Sequence, residues 1–508
     1  MDAARPATRP GLIVAVLALT GVIAAGIQTL VVPLLGQLPA ILHASPTDTS
    51  WVVTATLLAS AVAVPLAGRL GDMWGKRPVL MASLVPLIAG TVLCAVSWSL
   101  LPMVLGRSLQ GLGMGVVPLG ISLLREAVPP ERVGSAVAMM SASMGIGGAL
   151  GLPFAAVVAQ AATWRVMFWT FAGVGLVALF LVWRIVPAGL PPVGNARFDL
   201  PGAVLLSSGL VCLLLAVSKG REWGWTGGVT FGLLCVAAMA LVLFCVRQLT
   251  FDQPLVNLRS LADPRLALAT IASLLISFST YALSYVVPQI LQLPVSTGYG
   301  FGKSMLAMAL WLAPGGLAML AIAPLSARLS ARFGAKVTVA AGAAVVAAGF
   351  GLAIPLMATI GGLLVVVVLC NTGVAMAYAA IPLIVMDAVP HHETAAANGF
   401  NTLARAIGTS TAGAVIGGLL AGLSTSVEGY TVPSLAGLHT VMGLAAGAGV
   451  LATLLAIAVP AGQAPRLLSG SSPECLVSAR AGGAQSVAPA PPATRLSPSG
   501  DSGRGRRK

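Results

Sequence analysis

Charged side chains are scarce in this chain. Lys, Arg, Asp and Glu make up 8% of its 508 residues, against about 25% in a soluble globular domain, so it cannot cover itself with polar surface in water. Acidic residues are the rarest: 14 Asp and Glu stand against 28 Lys and Arg, a net charge of +14. No Asp or Glu falls clearly inside a long apolar run. The phosphate-cradling pattern Gly-X-X-X-X-Gly-Lys-Ser/Thr is missing, which excludes a P-loop ATPase within the chain. Paired catalytic carboxylates, a Ser–His–Asp set and metal-ligand clusters are missing too, so the chain reads as no enzyme and as holding no cofactor and no metal. Of the six cysteines, Cys94, Cys212, Cys235, Cys245 and Cys370 lie in apolar runs. They read as small buried hydrophobes rather than disulfide partners, and Cys475 lies near the C-terminus.

What is abundant is apolar: 57% of residues are hydrophobic, alongside 59 Gly and 34 Pro. In water that glycine and proline content signals loops. Inside long apolar runs it fits membrane helices, where small residues let helices approach closely and breaks are tolerated. A helix crossing a bilayer needs roughly 20 apolar residues. Fourteen spans are predicted, near 12–34, 51–69, 79–98, 102–124, 135–160, 165–186, 201–218, 228–247, 266–288, 304–325, 337–356, 359–385, 399–422 and 438–459. Spans 7 and 8 are among the shorter ones. The first run follows Arg5 and Arg9 and has no clear small-residue cleavage site, so it reads as a span rather than a signal peptide.

Lys and Arg set the orientation. With the N-terminus inside, they fall in cytoplasmic loops or the C-terminal segment, except Arg165, Lys219, Arg221 and Lys303 outside and Arg107 and Arg405 within spans. That bias predicts both termini in the cytoplasm of a multi-pass protein of the cell membrane. Scattered through short loops, the positive charge suits a lipid bilayer and not a nucleic acid.

Two loops recur. Gly68-Arg-Leu-Gly-Asp-Met-Trp-Gly-Lys-Arg77 and Ala327-Arg-Leu-Ser-Ala-Arg-Phe-Gly-Ala-Lys336 start 259 residues apart; Glu126-Ala-Val-Pro129 and Asp387-Ala-Val-Pro390 start 261 apart. The shared offset predicts two similar six-helix halves, 12–187 and 266–460, around an inserted two-helix linker with its flanking loops, 188–265. Residues 1–11 form a cytoplasmic N-terminus. Residues 461–508, rich in Ser, Pro, Gly, Ala and Arg, read as a disordered cytoplasmic tail. The fold class is an all-α polytopic membrane protein.

The loop after span 2 is the sharpest motif. Its glycines permit a tight turn. Asp72 can pair with an arginine or accept bonds from a helix N-terminus, while Arg69, Lys76 and Arg77 supply positive charge. Such a cluster can hold two halves together and release them. This loop resembles the one between helices 2 and 3 of the major facilitator superfamily, and fourteen spans resemble that family's drug:proton antiporter branch. The resemblance covers the chain to about Pro460. It implies a state-stabilising role for Gly68, Arg69, Gly71, Asp72, Gly75, Lys76 and Arg77.

Further motifs follow from the resemblance. Arg107-Ser-Leu-Gln-Gly in span 4 is similar to the family's Arg-X-X-Gln-Gly motif, which implies a part for Arg107 and Gln110 in proton handling; snorkelling of Arg107 to the outer interface is the plainer reading. Span 5 carries Gly147, Gly151 and Pro153. It resembles the antiporter motif typical of exporters, although Leu152 and Phe154-Ala155-Ala156 depart from it. Asn401 and Arg405 in span 13 share a helix face, and Arg405 is either cavity-lining or structural. The family's acidic residue in span 1 is replaced by Gln28, which cannot titrate, so ordinary carboxylate-based proton exchange and cationic substrates both lose support.

The expected function is secondary active export of small organic, drug- or antibiotic-like molecules by alternating access, with protons as the coupling ion and the chain working as a monomer. Gln28, Arg107, Gln110, Asn371, Tyr378, Asn401 and Arg405 are the expected cavity residues. An importer or facilitator of one metabolite would share the fold. A non-transporting membrane sensor or scaffold would need a folded soluble domain or a long binding loop, and neither is visible in the sequence.

Overall fold

In a bilayer every backbone amide and carbonyl must be bonded within the protein, and this chain meets that demand with helices. The structure, a computed structural model, describes residues 10–31, 34, 38–187, 198–251, 254–255, 263–390, 393–427 and 430–460. The segment read as a disordered tail, the N-terminal residues 1–9 and part of the linker lie outside the described residues.

Fourteen described helices are long and apolar enough to cross a membrane. They are α1 Pro10–Thr29, α2 Trp51–Trp74, α3 Lys76–Val96, α4 Leu100–Ala127, α5 Pro130–Ala161, α6 Arg165–Ile185 and α7 Leu200–Trp223. Then follow α8 Gly228–Thr250, α9 Pro264–Gln292, α10 Met305–Phe333, α11 Ala335–Leu356, α12 Ile360–Ala388, α13 Thr394–Gly422 and α14 Leu435–Ala458. Each matches a predicted span, and α7 and α8 prove full-length. Within α4, Gly113–Gly115 tightens to a 3-10 turn. A two-stranded hairpin, β1 Ser424–Val427 paired with β2 Tyr430–Pro433, joins α13 to α14.

Helices α1–α6 pack among themselves, as do α9–α14. The two groups meet in an exchanged pattern: α2 packs on α13 and α10 on α5, the second helix of each group against the fifth of the other. This is the pseudo-symmetry announced by the repeated loops. The inserted pair α7 and α8 pack on each other, and α7 also packs on α2 and α13. Ala203, Leu206, Leu210, Leu214 and Phe244 of the pair bury themselves with Ala61 and Leu403.

Polar ties fix the pair. Asp199 precedes α7 and accepts from its own Gly202 amide at 3.0 Å, from Arg247 Nε at 2.7 Å and from Gln248 Nε2 at 2.8 Å, both on α8. Burial works against ionising Asp199, but these donors outweigh it and hold the carboxyl below the usual carboxylate range. At the other end of α7, Lys219 is buried, donates to Ser50 and Glu222, and lies 5.0 Å from the centre of the Trp51 ring. Ahead of α2, Asp48 exchanges hydrogen bonds with Ser45 around a short turn.

The outside of the bundle is apolar. Phe231, Met239, Val242 and Val246 on α8, and Phe180 and Trp183 on α6, are exposed, as a lipid-facing surface should be. Cys94 and Cys370 are buried, but Cys235 and Cys245 are exposed on that outer face, which corrects the reading of all five as buried. The five described cysteines are free.

Between helices, lipid tails are as apolar as leucine, so close packing has to provide the attraction. A Cβ built on Gly90 in α3 would strike Gly106 O and lie 2.7 Å from the Gln110 amide nitrogen; one on Gly342 in α11 would lie 2.6 Å from Gly373 O in α12. Backbone cannot yield there. Gly351, by contrast, has open space around it. Overpacking costs about 1–3 kcal/mol, so Gly90→Ala is expected to lower the melting temperature of the detergent-purified protein by several degrees. Gly351→Ala is expected to leave it unchanged. Equal melting temperatures for the two variants would contradict this packing.

Candidate functional site

At one end of the bundle the loop motif ties α2 to the start of α13. Asp72, in the last turn of α2, is buried and reaches across to the first turn of α13. Its Oδ1 accepts from the Ala395 amide at 3.2 Å and its Oδ2 from the Ala396 amide at 2.8 Å. The first amides of a helix have no partner in their own helix and stand at its positive end, so the carboxylate answers both needs. Lys76, also buried, pairs with Glu126 of α4, donates to Thr394 Oγ1 at 2.8 Å and lies 3.9 Å from Asp72. Ser122 donates to the same threonine at 2.8 Å.

The glycines make this reach possible. A Cβ on Gly68 would lie 2.5 Å from Ala395 O, and one on Gly71 would strike Leu119. Gly75 turns the chain from α2 into α3 with φ of 96°, a region closed to ordinary side chains. Of the motif's other cations, Arg77 donates to Trp183 O on α6, and Arg69 Nε is buried without a hydrogen-bond partner. The cluster is therefore built on Asp72 and Lys76. Its partners Thr394, Ala395, Ala396 and Ser122 were not singled out from the sequence, and Glu126 was read only as the start of a repeated loop. A helix start after His-His-Glu393 was the available signal, because fresh amides stand wherever a helix begins.

Between the two helix groups lies a cavity of about 610 Å³. It is lined by α1, α2, α4, α5, α9, α10, α12 and α13, and extends toward Gln292 and Met305, away from the Asp72 cluster. Gln28, Asn371, Tyr378 and Arg405 face it, as expected. Arg405 lies over the Tyr378 ring at 3.7 Å, with Nη2 3.8 Å from Met144 Sδ, and the Tyr378 hydroxyl pairs with Ser277 Oγ at 2.8 Å. Asn371 Nδ2 donates to Val367 O at 2.8 Å, and Gln28 Nε2 lies 3.4 Å from Met114 Sδ.

Arg107, Gln110 and Asn401 do not line this cavity, contrary to expectation. Arg107 is buried within the first helix group. It donates to Val52 O at 3.1 Å, Ile27 O at 3.2 Å and Gln110 Oε1 at 2.7 Å, while Gln110 passes a bond to Thr91 at 3.0 Å. Ile27 is in the last turn of α1, where carbonyls lack helical partners and cations are favoured. Arg107 therefore binds α1, α2 and α4 together, and it does not snorkel. Asn401 is buried with Oδ1 unbonded.

On α5, Gly147 and Gly151 face α1: a Cβ on Gly147 would lie 2.6 Å from Val22 O, and one on Gly151 would strike Thr29. Gly145 does the same against Met319 of α10, and Gly148 opens on the cavity. The helix runs on through Pro153. Sequence reading missed the polar face of α9, Ser277, Tyr281 and Ser284, which also lines the cavity. Its i, i+4, i+7 spacing in an apolar helix was the visible signal.

Comparison with known proteins agrees with this architecture. The family model described as Major Facilitator Superfamily matches residues 17–413. The tetracenomycin C resistance and export protein of Streptomyces glaucescens is 32% identical over 47% of this chain and 44% of its own length. Multidrug resistance protein Stp of Mycobacterium tuberculosis is 28% identical over 74% of this chain and 70% of its own. The chain spans about half the length of several relatives that it matches. Among solved structures, the human organic anion transporter MFSD10 superposes with a TM-score of 0.66 at 18% identity, over 88% of this chain and 99% of that one.

The Asp72 contact can be measured. Asparagine keeps one acceptor oxygen and loses the charge, so one of the two amides goes unanswered. Hydrogen bonds to charged groups contribute about 1.5–3 kcal/mol. Asp72→Asn is expected to raise the open fraction of this end about tenfold. In a cysteine-free background with Val117→Cys, a membrane-impermeant maleimide added from the Asp72 side should then react about ten times faster. An unchanged rate would remove Asp72 from the closure.

Proposed function

The chain belongs to the major facilitator superfamily and is a multi-pass transporter of the plasma membrane; from that premise we propose that it exports small organic molecules of the drug or antibiotic kind, driven by the proton gradient. The observation behind this reading is a cavity extending to one end of the bundle while the Asp72 cluster seals the other. That is one half of an alternating-access cycle. With Lys and Arg placed by the positive-inside rule, the sealed end is cytoplasmic and the conformer is outward-open.

The cycle then turns on the seal. Residues Gly68 to Arg77 act as the gate, and release of Asp72 from the α13 amides lets α2 and α13 part on the cytoplasmic side. Protonation of Asp72 would remove the anion that the helix N-terminus holds, which gives the proton gradient a place to act without any carboxylate in the cavity. The direction of transport is supported by the two bacterial relatives, one named for export and both for resistance. The glycine-built contact of α5 with α1 agrees with an exporter's helix 5.

Energised cells expressing the chain are expected to expel fluorescent organic dyes at a rate that falls at least tenfold on adding a protonophore. Asp72→Asn is expected to slow the efflux by a similar factor at equal expression. Efflux indifferent to the protonophore would sink proton coupling, and gradient-driven uptake in place of efflux would sink the direction.

A further inference from the structure

The cavity is unbalanced in charge. Arg405 is the single formally charged residue among the described residues that line it, and no carboxylate accompanies it. A charge within the membrane is costly and usually finds a partner. What Arg405 has is the face of Tyr378 at 3.7 Å and a thioether sulfur at 3.8 Å. Ring and sulfur hold the guanidinium in place without neutralising it. The 2.8 Å bond between the Tyr378 hydroxyl and Ser277 fixes the ring in turn, so Arg405 is pre-positioned with its charge unanswered.

The rest of the cavity describes the rest of a ligand. Met114, Met144, Met305, Met308 and Met319 line it along with several leucines and valines. Methionine is polarisable and adapts to varied apolar and aromatic shapes. A volume of about 610 Å³ is that of a site for a drug-sized molecule. A cationic ligand would meet a like charge here with nothing to offset it, whereas an anion would supply the missing counter-charge and gain charge-assisted hydrogen bonds.

We infer that the cavity takes an amphipathic organic anion, with a carboxylate or comparable anionic group on Arg405 and an aromatic or aliphatic body against the methionines. The inference rests on the export reading for the direction in which the anion moves, and not for its binding.

Three matched probes test it: 2-naphthylacetate, its neutral methyl ester and (2-naphthylmethyl)trimethylammonium. Binding to the detergent-purified full chain is measured by equilibrium dialysis at neutral pH, so that no gradient is involved. The carboxylate is expected to bind at least tenfold more tightly than the ester, and the cation more weakly than either. Arg405→Gln should abolish the preference for the carboxylate while leaving ester affinity unchanged, which also certifies that the variant is folded. Arg405→Lys should restore part of it.

Binding of the cation ahead of the carboxylate would overturn the inference. So would a carboxylate preference that survives Arg405→Gln, and so would loss of ester binding along with carboxylate binding. Dye efflux reports separately. Carboxylate selectivity without energised efflux leaves the anion site standing and removes the export reading. Efflux of cationic dyes that is untouched by Arg405→Gln leaves export standing and removes the anion site.

Discussion

Everything in this structure depends on how closely two helix backbones can approach. Among helices surrounded by lipid, the exclusion of water no longer drives association, and contact, hydrogen bonds and small residues take over. The chain uses glycine for this at every level. Gly90 and Gly106 bring α3 onto α4, Gly342 and Gly373 bring α11 onto α12, and Gly147 brings α5 onto α1. At Gly68 the same device serves the contact between the two helix groups, because only a missing side chain lets the start of α13 come within reach of Asp72. Packing within each helix group and contact between the groups are therefore one physical problem here. A glycine contact costs no side-chain rearrangement to make or to break.

Much of the fold could be read directly, because a membrane helix writes itself as a run of apolar residues. All fourteen spans were visible that way, and the duplicated loops announced two similar groups of six, although not the pairing of α2 with α13 and of α10 with α5. The loop motif was legible for a different reason: Asp72 and Lys76 are charges at the edge of apolar runs, where an unpaired charge is expensive. What stayed hidden was the identity of their partners. The amides of Ala395 and Ala396 have no side-chain signature, and backbone groups of ordinary alanines bind Asp72.

Cavity residues were legible only in part. Arg107 and Arg405 look alike in sequence, each a lone cation within an apolar span. The structure separates them by their surroundings. Arg107 meets two carbonyls and a glutamine and becomes a structural knot, whereas Arg405 meets an aromatic face and open space. No periodicity distinguishes those outcomes, since both depend on which carbonyls three-dimensional packing brings near. The polar face of α9 and the methionines were passed over for a related reason: serine and methionine are unremarkable in a membrane helix until several converge on one space.

The inserted pair has a consequence for the wall of the cavity. Ala61 and Leu403 form part of the cavity wall and are backed by Leu206, Leu210 and Phe244 of α7 and α8. A twelve-helix relative of this design would have a single layer of side chains between that wall and the acyl chains. Here the flank is one helix pair thicker, and Lys219 fastens it to the start of α2. On the opposite flank α5 and α10 meet directly, Gly145 against Met319, so the two extra helices thicken one of the two seams between the helix groups.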